Sequence, residues 1–140
     1  MATWDDVARL ALALPETSEE PAHGHHHWRG WKVKDKAFVW ERPLLRSDLE
    51  TLGDDAPPEG PILAARVEHD GAKRALIESD PDVYFTIPHF DGFPAILLLL
   101  DRIGVEELEE VVVEAWLNRA PKRVLRAYMS EREAEAASES

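Results

Sequence analysis

The chain has 140 residues, 44% hydrophobic and 31% charged, with a formal net charge of -12 and no cysteine. That length suits one domain around one core, and the composition excludes a disordered or repetitive chain. The missing cysteine excludes disulfides, thiolate metal sites, iron–sulfur clusters and cysteine nucleophiles, so any metal would need His and carboxylates.

Thr3 and Asp6 have the spacing of a helix cap with an acid in the first turn. Trp4, Val7, Leu10, Ala11 and Leu14 then recur at helical spacing up to Pro15, which predicts the first helix. Asp5 and Asp6 stand where a signal peptide would carry positive charge. The longest apolar run, AILLLL at 95–100, is too short to cross a bilayer. The expectation is a cytoplasmic protein with no membrane role.

Residues 16–21 read as a polar loop. From residue 25 to 40 the aromatic and β-branched residues surround a Lys34-Asp35-Lys36 break, which predicts a hairpin. PLLRSDLETL at 43–52 reads as a short helix with its proline in the first turn, and 53–61 as a loop. Residues 62–67 read as a strand, 70–79 as a helix stopped by Asp80-Pro81, 83–87 as a short strand, and 95–100 as a central strand covered on both faces. Val105, Leu108, Val112, Ala115 and Trp116 line one side of a helix at 104–118, and helical pattern continues through 121–129. Residues 130–140 lack large apolar side chains and read as a fraying acidic tail. The order α-β-β-(short α)-β-α-β-β-α describes one α+β domain over residues 1–129, with a mainly antiparallel sheet of about five strands and helices packed on it.

Charge is unevenly spread. Residues 22–46 hold six basic against two acidic residues, 117–126 hold four basic and no acidic ones, and the remainder holds 6 basic and 26 acidic. The two basic islands make Arg29, Lys32, Lys34 and Lys36, with Lys122, Arg123 and Arg126, the candidate nucleic-acid contacts, Trp28 and Trp31 being available for stacking. The bland alternative buries the tryptophans in the hairpin and leaves the lysines solvated.

In PAHGHHHW, a strand would put His23, His25 and His27 on one face and His26 on the other. Alternate side chains on a strand stand about 6–7 Å apart, so three would reach one ion only through a bend at Gly24. The reading adopted is a loop running into a strand, with those three histidines a weaker metal alternative and no cofactor expected. His89, in the aromatic loop YFTIPHFDGF, forms a candidate pocket with Trp28 and Phe90. No phosphate loop, nucleophile elbow or triad spacing occurs, so no enzymatic activity is expected.

Three stretches together carry a resemblance: HGHHHWRGWKVKDKAFVW, DPDVYFTIPHFDGFPAILLLLDRI and LEEVVVEAWLNRAPKRVL. They resemble the MmcQ/YjbR family in its His-Gly followed by an aromatic and a lysine–phenylalanine strand, its aromatic proline loop before an apolar strand, and its last helix ending in Ala-Pro-Lys-Arg. With the opening helix the resemblance covers about residues 3 to 126, although Asp35 stands where the family commonly has glycine. The resemblance implies a frataxin-like or secretion-chaperone-like α+β fold and a DNA-binding assignment, and it implies no catalytic motif. The expectation is therefore a non-enzymatic binding domain with DNA as leading partner. The alternative is a module docking another protein or a second copy through Trp28, Trp31 and Phe90.

Overall fold

The computed structural model describes residues 1–21 and 28–139. Helix α1 (Trp4–Leu12) starts where the sequence signals it. The Thr3 hydroxyl accepts from the Asp6 backbone N–H at 3.3 Å, and the Asp6 carboxylate accepts from the Thr3 N–H at 2.9 Å. Both donors would otherwise be orphans of the first turn.

Strands β1 (Thr17–Pro21), β2 (Arg29–Val33) and β3 (Lys36–Glu41) are followed by α2 (Arg46–Leu52), β4 (Ile62–Arg66), α3 (Asp70–Ser79), β5 (Tyr84–Phe85), β6 (Ala95–Leu99), α4 (Val105–Arg119) and α5 (Lys122–Glu139). Among the described residues the six strands form one antiparallel sheet in the order β1-β2-β3-β4-β6-β5. The fold is α+β, as the element order predicts. β1 is the strand beyond the expected five, in residues that read as a loop. TSEEP has no apolar member and therefore no alternation to betray a strand, yet it pairs along its length with β2.

The β2–β3 hairpin turns on Lys34 and Asp35, whose φ angles of 47° and 72° are both positive. This is the twist a two-residue hairpin loop requires. A register shift after Trp31 then places Trp31, Val39 and Ala65 on one face of the sheet and Lys32, Ala37 and Arg66 on the other.

The first face holds the larger core. Trp31, Val33, Phe38, Leu63, Ile96 and Leu98 pack under Val7, Leu10 and Ala11 of α1 and Leu108, Val112, Ala115 and Trp116 of α4. Trp4 stacks on Trp31 with ring centres 6.3 Å apart, and the Trp116 indole donates to the Pro15 carbonyl at 3.1 Å. Helix α4 ends at Ala120, which is extended as a residue before proline prefers. Tyr128 of α5 then turns back onto Trp116, ring centres 4.8 Å apart. Helix α5 continues to Glu139, so most of the expected fraying tail is helical; its side chains from 129 to 137 are exposed.

The second face is only half covered. Ile62, Ala64, Ala95, Leu97 and Leu99 are buried there by Ile87 and Phe90, with Leu44, Leu52 and Phe85 packed alongside. Over β2 and β3 the described residues leave a groove. Among the described residues no helix is long and apolar enough to cross a membrane.

Candidate functional site

The uncovered half of the second face is a groove of about 610 Å³. Strand alternation supplies its floor: Gly30 and Lys32 from β2, Ala37 and Trp40 from β3, Arg42 just after β3, and Arg66 at the end of β4. Gly30 lies opposite Trp40, so no cross-strand side chain covers that indole. Trp28, His89, Phe90 and Phe93 make the walls. Phe93 is 38% exposed and tilts toward Trp40 with ring centres 6.3 Å apart. A buried lysine fixes the wall from behind: the Lys73 ammonium donates to the Phe90 carbonyl at 2.9 Å. Arg119 reaches the same groove from the last turn of α4, although α4 packs on the opposite face.

Five cations line this groove (Lys32, Lys36, Arg42, Arg66 and Arg119) against one carboxylate, Asp35. Their surroundings differ. The Arg42 guanidinium sits 5.7 Å from the ring centres of both Trp28 and Phe90 and donates to the Asp48 carboxylate at 3.1 Å. That carboxylate also accepts from the Leu45 N–H at the start of α2, so Arg42 is neutralised inside the fold. Arg66 lies 4.9 Å over the Phe93 ring. The Nε atoms of Arg66 and Arg119 are buried without a hydrogen-bond acceptor, and neither guanidinium has an ion-pair partner among the described residues. Burial first, and then the charge of Arg119, push the Arg66 guanidinium below its ordinary value.

The sequence candidates divide. Trp28, His89 and Phe90 come together in the groove, as do Lys32 and Lys36. Arg29 does not: Glu19 of β1 holds it through two contacts of 3.1 Å and also accepts from the Trp31 indole at 3.1 Å. Lys32 pairs with Glu20 at 3.3 Å and Lys34 with Glu16 at 3.0 Å, so the acidic strand β1 answers Arg29 and Lys32, and Glu16 just before it answers Lys34. Lys122, Arg123 and Arg126 are exposed on the first turns of α5 and do not line the groove. Within the groove the second island contributes Arg119, while Arg123 approaches the first island at Glu16, the partner of Lys34.

Trp31 is fully buried and Phe90 is 4% exposed, so of the aromatics suggested as an exposed docking surface only Trp28 is partly accessible. Both are interior because Trp31 lies on the helix-covered face and Phe90 caps the smaller core. His23, His25 and His27 lie outside the described residues. Among the described ones no group of three or more His, Asp or Glu could hold a metal ion. Trp40, Arg42, Phe93, Arg66 and Arg119 are additions to the sequence candidates, and only strand alternation around β3 and β4 could have pointed to the first, second and fourth.

A second groove of about 420 Å³, between α3 and α4, carries the opposite sign. Glu68, Glu107, Glu110 and Glu114 line it. Burial, and then Glu107, push the Tyr84 hydroxyl there well above its ordinary range.

The family model described as YjbR matches residues 12–118. Uncharacterized proteins of Mycobacterium tuberculosis and Mycobacterium bovis are 48% identical over 132 residues, covering 93% of this chain and 98% of theirs. A crystal structure of a Deinococcus radiodurans protein with a DUF419 domain has the same fold, with a TM-score of 0.60 at 18% identity over 84% of this chain and 78% of that one.

Proposed function

The chain belongs to the YjbR family, and on that premise we propose that it is a non-enzymatic binding domain whose partner is single-stranded nucleic acid, held in the groove over β2 and β3. One observation carries the reading: aromatic faces of Trp28, Trp40 and Phe93 interleave with Lys32, Lys36, Arg66 and Arg119 in a single concave site. Unstacked bases lie on aromatic faces, each worth about 1–3 kcal/mol, while the cations follow the backbone. A duplex offers no base faces. The net charge of -12 and the glutamate-lined groove disfavour a long polyanion over much of the remaining surface, the exposed Lys122, Arg123 and Arg126 apart.

The reading is consistent with the DNA-binding assignment of the family and narrows it to unpaired strands. It is tested by titrating 5′-hydroxyl oligothymidylate and a duplex of equal length at low salt while following tryptophan fluorescence. Quenching by the single strand, weakening with salt at a slope near -0.7 per phosphate contacted, is expected. Trp40→Ala and Phe93→Ala should lose it. No binding at low salt, or equal affinity for the duplex, removes the reading.

A further inference from the structure

We propose that Arg66 and Arg119 form a seat for a phosphate monoester, so that the groove takes a nucleotide by its terminal phosphate with its base against the aromatic wall. This deepens the reading of the groove as the binding site, and its test is separable from the test of strand binding.

Two like charges face the groove together. Arg66 ends β4 and Arg119 ends α4, so a strand of the sheet and a helix packed on its other face deliver both guanidiniums to the groove. Bringing two cations together out of water is unfavourable unless an anion answers them. Elsewhere carboxylates answer partly or fully buried arginines and a lysine: Asp48 takes Arg42, Glu20 takes Lys32 and Glu19 takes Arg29. Among the described residues neither Arg66 nor Arg119 has a carboxylate at ion-pair distance, although Asp35 lines the same groove and Arg66 also borders the glutamate-lined one. The buried Nε–H of each arginine lacks an acceptor, and a buried donor without a partner is uncommon in native proteins. Phe93 lies against the Arg66 guanidinium, 4.9 Å from ring centre to Cζ, and a guanidinium is the planar fork that takes two oxygens of an oxyanion. Burial, and then the neighbouring charge of Arg119, lower the hold of Arg66 on its proton, in keeping with two like charges set close together.

The anion's charge follows from the count of cations. A phosphodiester within a strand carries one negative charge, whereas a monoester carries about -1.5 to -2 near neutral pH. Two guanidiniums are matched by the second. The cavity, at about 610 Å³, lies in the range of small-ligand sites. Two sources share this chemistry, a free mononucleotide and the 5′-phosphorylated end of a strand.

The test uses the full chain and four probes: thymidine, thymidine 5′-monophosphate, and oligothymidylate with either a 5′-hydroxyl or a 5′-phosphate. Binding is read by tryptophan fluorescence and calorimetry. The monophosphate is expected to bind at least about tenfold more tightly than thymidine, the increment of a charge-assisted contact. Arg66→Gln and Arg119→Gln should each erase that difference, while Arg66→Lys, which keeps charge and loses the fork, should retain part of it. Both Gln variants relieve a repulsion, so their melting temperatures should not fall; a variant that does melt early is replaced by its Lys counterpart.

A 5′-phosphate preference among the oligonucleotides that vanishes in both Gln variants assigns the strand end as source. Tight monophosphate binding without any oligonucleotide binding assigns the free nucleotide, and then strand binding fails while the seat stands. Equal affinity for thymidine and its monophosphate overturns the seat. So does an equal loss of both oligonucleotides in the Gln variants, since the arginines would then serve the strand backbone.

Discussion

Arg42 and Asp48 face each other across 3.1 Å with side chains only 7% and 8% exposed, and the same guanidinium lies between the rings of Trp28 and Phe90. One ion pair therefore joins the start of α2 to the wall of the groove. Truncating one member of such a pair strands the other charge in the interior. Asp48→Ala should destabilise the chain by about 3–5 kcal/mol in denaturant unfolding, and an Arg42→Met, Asp48→Leu double variant should recover most of that. A loss for Asp48→Ala below about 1 kcal/mol would show that the pair is solvated.

The hairpin turn offers a gain instead of a loss. Lys34 and Asp35 both occupy the left-handed region, where a side chain costs about 1–2 kcal/mol and where Asn-Gly is preferred. Replacing Lys34-Asp35 by Asn-Gly should raise stability by about 1 kcal/mol, seen as a higher melting temperature. The ion pair it removes, Lys34 to Glu16, is more than 40% exposed on both sides and contributes little.

Asp6 makes the first helix sensitive to acid. Its carboxyl is held below the ordinary value chiefly by the Thr3 N–H, with Arg9 adding to the effect. A depressed folded value means that its stabilisation is present above the unfolded value of about 3.9 and is lost as pH falls through the lower folded one. The advantage of the natural chain over Asp6→Asn should be full at neutral pH and close to nothing at the acid end of a denaturation series. A pH-independent difference would refute the linkage.

Removing residues 133–140 should change stability by less than about 0.5 kcal/mol, because the side chains of 133–137 are exposed and the last inward anchor of α5 is Tyr128. Truncating after Pro121 instead removes Val124 and Tyr128 from the core, and it should lower the melting temperature.

Elements with a strong apolar period were legible in the sequence. β4 and α3 fall at their expected places, and the aromatic loop containing His89 lines the groove. What escaped was polar or assembled at long range. α3 begins on an imidazole, His69 accepting from the Ala72 N–H at 3.0 Å, where the usual sign is a hydroxyl or carboxylate. β1 escaped because its five residues contain nothing apolar. The acids that answer Arg29, Lys32 and Lys34 lie on that strand or, for Glu16, just before it, so counting charge along the chain placed three cations in a binding site without their partners. The Arg66 and Arg119 pair is set by strand register and a helix end on the other side of the sheet, and no local pattern links two such positions.

The two margins of the sheet also limit how copies of this chain can meet. One margin is TSEEP, with two glutamates and a closing proline; the other is the two-residue Tyr84–Phe85 strand. Neither offers a long run of free N–H and C=O groups on an apolar ribbon, the template on which a foreign strand adds. Among the described residues both margins of the sheet are therefore poor templates for edge-to-edge stacking.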